Sequence, residues 1–128
     1  MSKKPKTRET LEEILASCSD TLFPEQMGQA AVNIDSCDVD GDTPLHVMLW
    51  RNNTYGALSL IEAGADVNAV GDMSETPLHV AVRKANIEVI EALLKRGARL
   101  TARSEFGNTP LQMAENAGGE IKRCFNNR

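Results

Sequence analysis

The stretch Asp35-Ser36-Cys37-Asp38-Val39-Asp40-Gly41-Asp42-Thr43-Pro44-Leu45-His46, DSCDVDGDTPLH, decides the fold because it can be read in two ways. Acids at alternate positions before a glycine look like a loop that wraps a calcium ion. A glycine two residues before Thr-Pro-Leu-His looks instead like the start of a helical repeat. The calcium loop needs acids at its first, third and fifth positions, glycine at the sixth and a bidentate glutamate at the twelfth. With Gly41 sixth, Ser36 falls first, Asp38 third, Asp40 fifth and Val47 twelfth. The glutamate is missing, and Pro44 sits poorly in a loop that must curl round an ion. A hard cation takes roughly six to eight oxygens, and this loop supplies too few.

The second reading finds support elsewhere in the chain. Thr43-Pro44-Leu45-His46-Val47-Met48 returns as Thr76-Pro77-Leu78-His79-Val80-Ala81 and again as Thr109-Pro110-Leu111-Gln112-Met113-Ala114, each time 33 residues on. Leu60 to Asn68 likewise lies 33 residues before Leu93 to Thr101, and Gly41 has its counterparts at Ser74 and Gly107. A long motif repeated in phase marks a repeat architecture.

The motif residues have local physical roles. Thr43, Thr76 and Thr109 suit helix N-caps, where a hydroxyl accepts from an otherwise orphan N–H. Pro44, Pro77 and Pro110 then fall at the first helical position, where a missing N–H costs nothing. A second helix is expected from about Tyr55 to Glu62 and from Ile87 to Lys95, with Ile87, Ile90, Leu93 and Leu94 on one face. Gly64 and Gly97 follow these helices where a left-handed backbone is favoured. Lys95 and Arg96 complement the helix dipole.

The Thr-Pro-Leu motifs and the Gly64-Ala65-Asp66-Val67-Asn68 stretch resemble the ankyrin repeat family over about residues 38 to 117. The resemblance implies an all-α solenoid of stacked helix-turn-helix units with β-turn loops. Repeats are expected at 38–70 and 71–103, with a shortened C-terminal repeat at 104–128 that breaks at Gly118-Gly119. Because no repeat buries its apolar face alone, the ends need caps. Thr10 keeps the 33-residue phase, Thr10-Leu11-Glu12-Glu13 reads as a capping box, and Leu11, Ile14, Leu15 and Cys18 form an apolar stripe. Residues 10–37 are therefore expected to be a degenerate capping repeat, with Pro24 opening a second helix through Met27 to Ala31. Residues 1–9 are expected to be a flexible basic tail, and residues 10–128 one domain.

Composition fits a soluble globular protein, with 41% apolar and 25% charged residues. No apolar run is long enough for a membrane span, and no signal peptide is apparent. Cys18, Cys37 and Cys124 are odd in number and scattered, which fits reduced thiols in a cytoplasmic protein. Charge is uneven: residues 38–70 hold five acids and one base, whereas 71–103 hold four acids and six bases. The acids crowd the expected turns at Asp38, Asp40, Asp42, Asp72, Glu75 and Glu105. Such an edge repels nucleic acid and attracts a basic protein surface, although exposed turns are also acidic simply for solubility.

Catalysis finds no foothold. His46 and His79 share one repeat position, and the third copy has Gln112 there. A base or ligand could not be exchanged for glutamine, but a hydrogen-bonding strut could. The resemblance implies that this histidine ties its helix to a neighbouring turn. No glycine-rich phosphate loop, paired-cysteine metal motif or serine-nucleophile motif is present, and Cys37 sits among acids that discourage thiolate formation. No cofactor or metal is expected.

The resemblance also implies partner binding through turn tips and exposed first-helix positions. In phase with the motif these are Val39, Asp40 and Asp42; Asp72, Met73 and Glu75; and Glu105, Phe106 and Asn108. On the first helices they are Trp50, Arg51, Arg83 and Lys84. Met73 and Phe106 stand where the family pattern usually has a polar turn residue, and an apolar tip contributes nothing to folding. Trp50 suits an interface anchor, or else folds back over Met48 and Leu49, which replace the family's usual alanines. Met48-Leu49 is expected to splay its helix, and Ser74 to be strained if its position needs positive φ. The expected function is a non-catalytic protein-binding module that inhibits or neutralises its partner, as some small ankyrin proteins do to kinases or toxins. The alternative is an adaptor bridging two proteins. A monomer is expected when free.

Overall fold

The computed structural model of the protein describes residues 10–24 and 31–126. The expected tail at 1–9, and residues 25–30 of the expected helix after Pro24, lie outside the described residues. The described helices are α1 (Leu11–Ser17), α2 (Ser19–Leu22), α3 (Pro44–Trp50), α4 (Thr54–Glu62), α5 (Pro77–Arg83), α6 (Ile87–Lys95), α7 (Pro110–Ala117) and α8 (Gly119–Asn126). No strand occurs among the described residues.

The helices pair as hairpins α3–α4, α5–α6 and α7–α8 and stack in two layers. First helices α3, α5 and α7 pack side by side, as do second helices α4, α6 and α8. The starts follow the motif chemistry. The hydroxyls of Thr43, Thr76 and Thr109 accept from the backbone N–H three residues on, with proline at the first helical position. Each such cap stabilises by about 1 kcal/mol. Asn53 and Asn86 cap α4 and α6 in the same way. Gly64 and Gly97 adopt φ of 100° and 84° after the second helices.

The core is one stripe through the stack, with Leu45, Leu60, Leu78, Ile90 and Leu93 fully buried. Each such side chain contributes about 1.5–3 kcal/mol by leaving water. Met48 and Leu49 do not splay α3; both are buried within a regular helix. Space for Met48 comes from Gly56, where an added Cβ would lie 2.5 Å from the Met48 sulfur. The equivalent pair one repeat on is Ala81 and Val89, both buried. Volume has been exchanged between two facing positions, so packing is conserved while the residues differ.

The in-phase Thr10 does form a capping box with Glu13. Yet α1 packs chiefly on α4, the second helix of the first repeat, not on α3. Of this cap the described residues hold α1, seven residues like α3, and α2, four residues; residues 25–30 of its expected second helix lie outside them. Ile14, Cys18 and Leu22 nevertheless continue the core stripe. Arg51 fastens this cap. Its guanidinium donates to the Ser17 hydroxyl at 3.0 Å, the Ser17 carbonyl at 2.9 Å and the Thr21 hydroxyl at 3.1 Å. At the other end Phe125 closes the core beneath the polar helix α8.

Candidate functional site

Three turns project between the helical units, built on one backbone plan. The N–H of Asp38 donates to the Asp42 carbonyl at 3.0 Å, that of Gly71 to Glu75 at 2.9 Å and that of Ser104 to Asn108 at 2.9 Å. Within each, the fourth residue's N–H (Gly41, Ser74, Gly107) bonds back to the first carbonyl at 2.9–3.0 Å. The histidines connect the turns to the helices. The Thr43 and Thr76 N–H groups donate to Nδ1 of His46 and His79 at 3.1 and 3.0 Å. This places the proton on Nε2, which donates to the carbonyls of Glu75 and Asn108, each at 3.0 Å. Both imidazoles are thereby committed as struts. Among the described residues, no group of three His, Cys, Asp or Glu side chains could hold a metal ion.

The outer turns are held by their first side chain. Asp38 Oδ1 accepts from Asp40 and Asp42 N–H, and the Ser104 hydroxyl accepts from Phe106 and Asn108 N–H. The middle turn has Gly71 there, which can do neither. A Cβ on Gly71 would lie 2.9 Å from His46 Nε2 and would overlap the Asp42 carboxylate. Asp42 instead reaches across, its Oδ1 accepting from Asp72 N–H at 3.0 Å. Met73 and Ser74 both adopt left-handed backbone, φ 59° and 58°. Two successive non-glycine residues in that region cost on the order of 1 kcal/mol each. The strain expected at Ser74 is present and extends to Met73, and the Met73 carbonyl is held by Glu105 N–H at 2.9 Å.

The tips present apolar groups among acids. Val39 is fully exposed, Met73 is 45% exposed and Phe106 is 64% exposed. Asp40, Asp72, Glu105 and Asn108 are exposed beside them, and Asp42 is half-buried. The Asp40 carboxyl is pushed above its ordinary pKa, chiefly by Asp72, then by partial desolvation and by Asp38 and Asp42.

Two expected contact residues are engaged by other groups of this chain. Glu75, expected at an exposed tip, is only 4% exposed. Its carboxylate takes a bidentate bond from Arg83, one arm measuring 2.7 Å. It is therefore not a free surface charge. Local spacing rules miss this pair because it runs the length of α5, the arginine leaning back toward the helix N-terminus. Arg51, as described, is spent on the N-terminal cap.

Trp50 does not fold over Met48 and Leu49. It stands 45% exposed on the first-helix surface, with Arg83 Cζ at 5.9 Å and Lys84 Nζ at 5.4 Å from its ring centroid. Both distances lie within cation–π range. The structure thus joins Glu75, Arg83, Trp50 and Lys84 into one chain of contacts. A groove of about 200 Å³ also runs along α3 toward Trp50, between the N-terminal cap and the first repeat. Its lining includes Asp38 and Leu22, which are not among the expected contact positions.

Two family models match the chain: one described as Ankyrin repeats (many copies) over residues 60–114, the other as Ankyrin repeat over residues 40–72. The search among curated proteins found no match.

Proposed function

The chain belongs to the ankyrin repeat family, whose repeats generally mediate protein–protein contacts, and we propose that its turn tips and first-helix surface bind a protein partner with a basic face. The observation that carries this reading is the row Val39, Met73 and Phe106, exposed at successive tips among Asp40, Asp72 and Glu105. Exposed apolar groups at tips contribute nothing to the core but supply contact area, while the flanking carboxylates steer a basic surface. Trp50, with Arg83 and Lys84 against its ring, adds an aromatic anchor of the kind that concentrates binding energy.

On this reading the binding is inhibitory. An acidic rim laid over a basic surface competes with whatever anion that surface normally holds, as with a nuclease-type toxin. Among the described residues, no helix is long and apolar enough to cross a membrane.

The test is affinity capture from native lysate, with the intact protein beside a V39S/M73S/F106S variant of equal thermal stability. A partner held by the first and lost by the second supports the reading. Equal capture by both sinks it. Titrating the purified partner's activity against the protein then decides whether binding inhibits.

A further inference from the structure

The groove along α3 has opposite ends of opposite charge. Asp38 and Asp42 stand at the turn end and Arg51 at the other, with Leu22, Val47 and Trp50 forming apolar walls between them. Its volume of about 200 Å³ falls below the roughly 300–1,000 Å³ of small-molecule sites, which suits one extended side chain better than a cofactor. Asp38 and Asp42 support the turns through Oδ1. A carboxylate offers about four lone-pair sites, so both keep capacity for a cation. Arg51 is pinned to Ser17 and Thr21 and so marks the end where a cationic head is repelled.

We propose that this groove receives one lysine or arginine side chain of the partner protein, its aliphatic stem against Leu22, Val47 and Trp50 and its charged head at Asp38 and Asp42. A long basic side chain has the amphipathic form the groove requires: a hydrocarbon stem for the walls and a charge for the acidic end. The half-exposed Trp50 ring adds apolar area for the stem along the path. Thr21 and Leu22 of α2 line the groove on the side away from α3, so the N-terminal cap contributes to it. The assignment rests on the protein-binding reading for its partner, but it is tested without one.

The probes are N-acetyl-lysine methylamide, N-acetyl-arginine methylamide and the uncharged N-acetyl-norleucine methylamide, titrated into the intact protein and followed by amide and indole NMR shifts. Saturable shifts at Thr21, Leu22, Val47 and the Trp50 indole are expected with the two cationic probes. Affinity for norleucine should be at least tenfold weaker. The D38N/D42N variant, which keeps the oxygen acceptors that hold the turns, should lose at least tenfold for the cationic probes. Equal response to norleucine, unchanged affinity in D38N/D42N, or no saturable shift with either cation each overturns the proposal. Capture of the partner that depends on Val39, Met73 and Phe106 while the groove fails these tests leaves the protein-binding reading standing.

Discussion

The Nε2–H of His46 meets the carbonyl oxygen of Glu75 at 3.0 Å, so the first repeat's helix donates to the second repeat's turn. Burial lowers the His46 pKa, outweighing the Glu75 carbonyl and the acids Asp42, Asp38 and Glu75, which raise it. The unfolded imidazole protonates near pH ~6.5 and the folded one only at lower pH. Stability from the neutral strut is therefore complete above ~6.5 and declines as pH falls below it. The H46Q variant should lose that acid-side slope, since an amide both accepts and donates without titrating, and Gln112 already makes the accepting bond from Thr109 N–H at 3.3 Å. Urea midpoints at about pH 7.5 and about pH 5.5 check this; equal slopes in both proteins contradict it.

Met48 and Gly56 should be energetically coupled. M48A alone opens a cavity and costs about 2–5 kcal/mol. G56V alone overpacks against the Met48 sulfur and costs about 1–3 kcal/mol. The double variant recreates the Ala81–Val89 arrangement and should cost less than the sum by at least ~1 kcal/mol. A denaturation cycle measures the coupling, and strict additivity would falsify the volume exchange.

Much of this architecture is legible in the chain because its signals are local. A threonine cap, a proline at the next position and a glycine after the second helix set φ, ψ and hydrogen bonds within a few residues, so α6 lies where the spacing predicts. What the motif hides is contact between units. The motif places α1 in phase but does not show that it packs on α4, and Glu75, whose carbonyl accepts from His46 of the preceding repeat, is buried with its carboxylate on Arg83. Arg51 reads as a surface position in its own repeat, and its three acceptors lie some 30 residues away at Ser17 and Thr21. The acidic and apolar character of the tips is legible, but the left-handed backbone at Met73 is not, and it occurs in the turn whose first residue, Gly71, lies against Asp42 and His46.

Arg83 should matter for both stability and Trp50. The Arg83 pKa is raised mainly by its bond to Glu75. R83A leaves a buried carboxylate without its partner, and because the arginine side chain is 36% exposed the cost falls to about 2 kcal/mol, below that of a fully buried pair. Pairing it with E75Q should restore about half. As Trp50 is the sole tryptophan, its emission should shift in R83A; an unchanged spectrum argues against Arg83 packing on the ring.

Ala85 adopts φ 55°, in the same repeat position as Asn52 at 56° and Gly118 at 66°. An alanine there carries Cβ strain that glycine does not. A85G should therefore stabilise by about 1 kcal/mol, although glycine in a relaxed site usually destabilises. Thermal denaturation reads the sign directly, and a lower midpoint in A85G refutes the strain.

The ladder of His46 to Glu75 and His79 to Asn108 joins only adjacent units, and helices two units apart share no substantial packing. Mechanically, the protein is a row of plates, each held in place by its neighbours alone. The tips of all three plates lie along one edge, so a body seated across that edge acts as a splint. It spans both joints between plates at once, so stiffening of the far joint can report contact made at the near one.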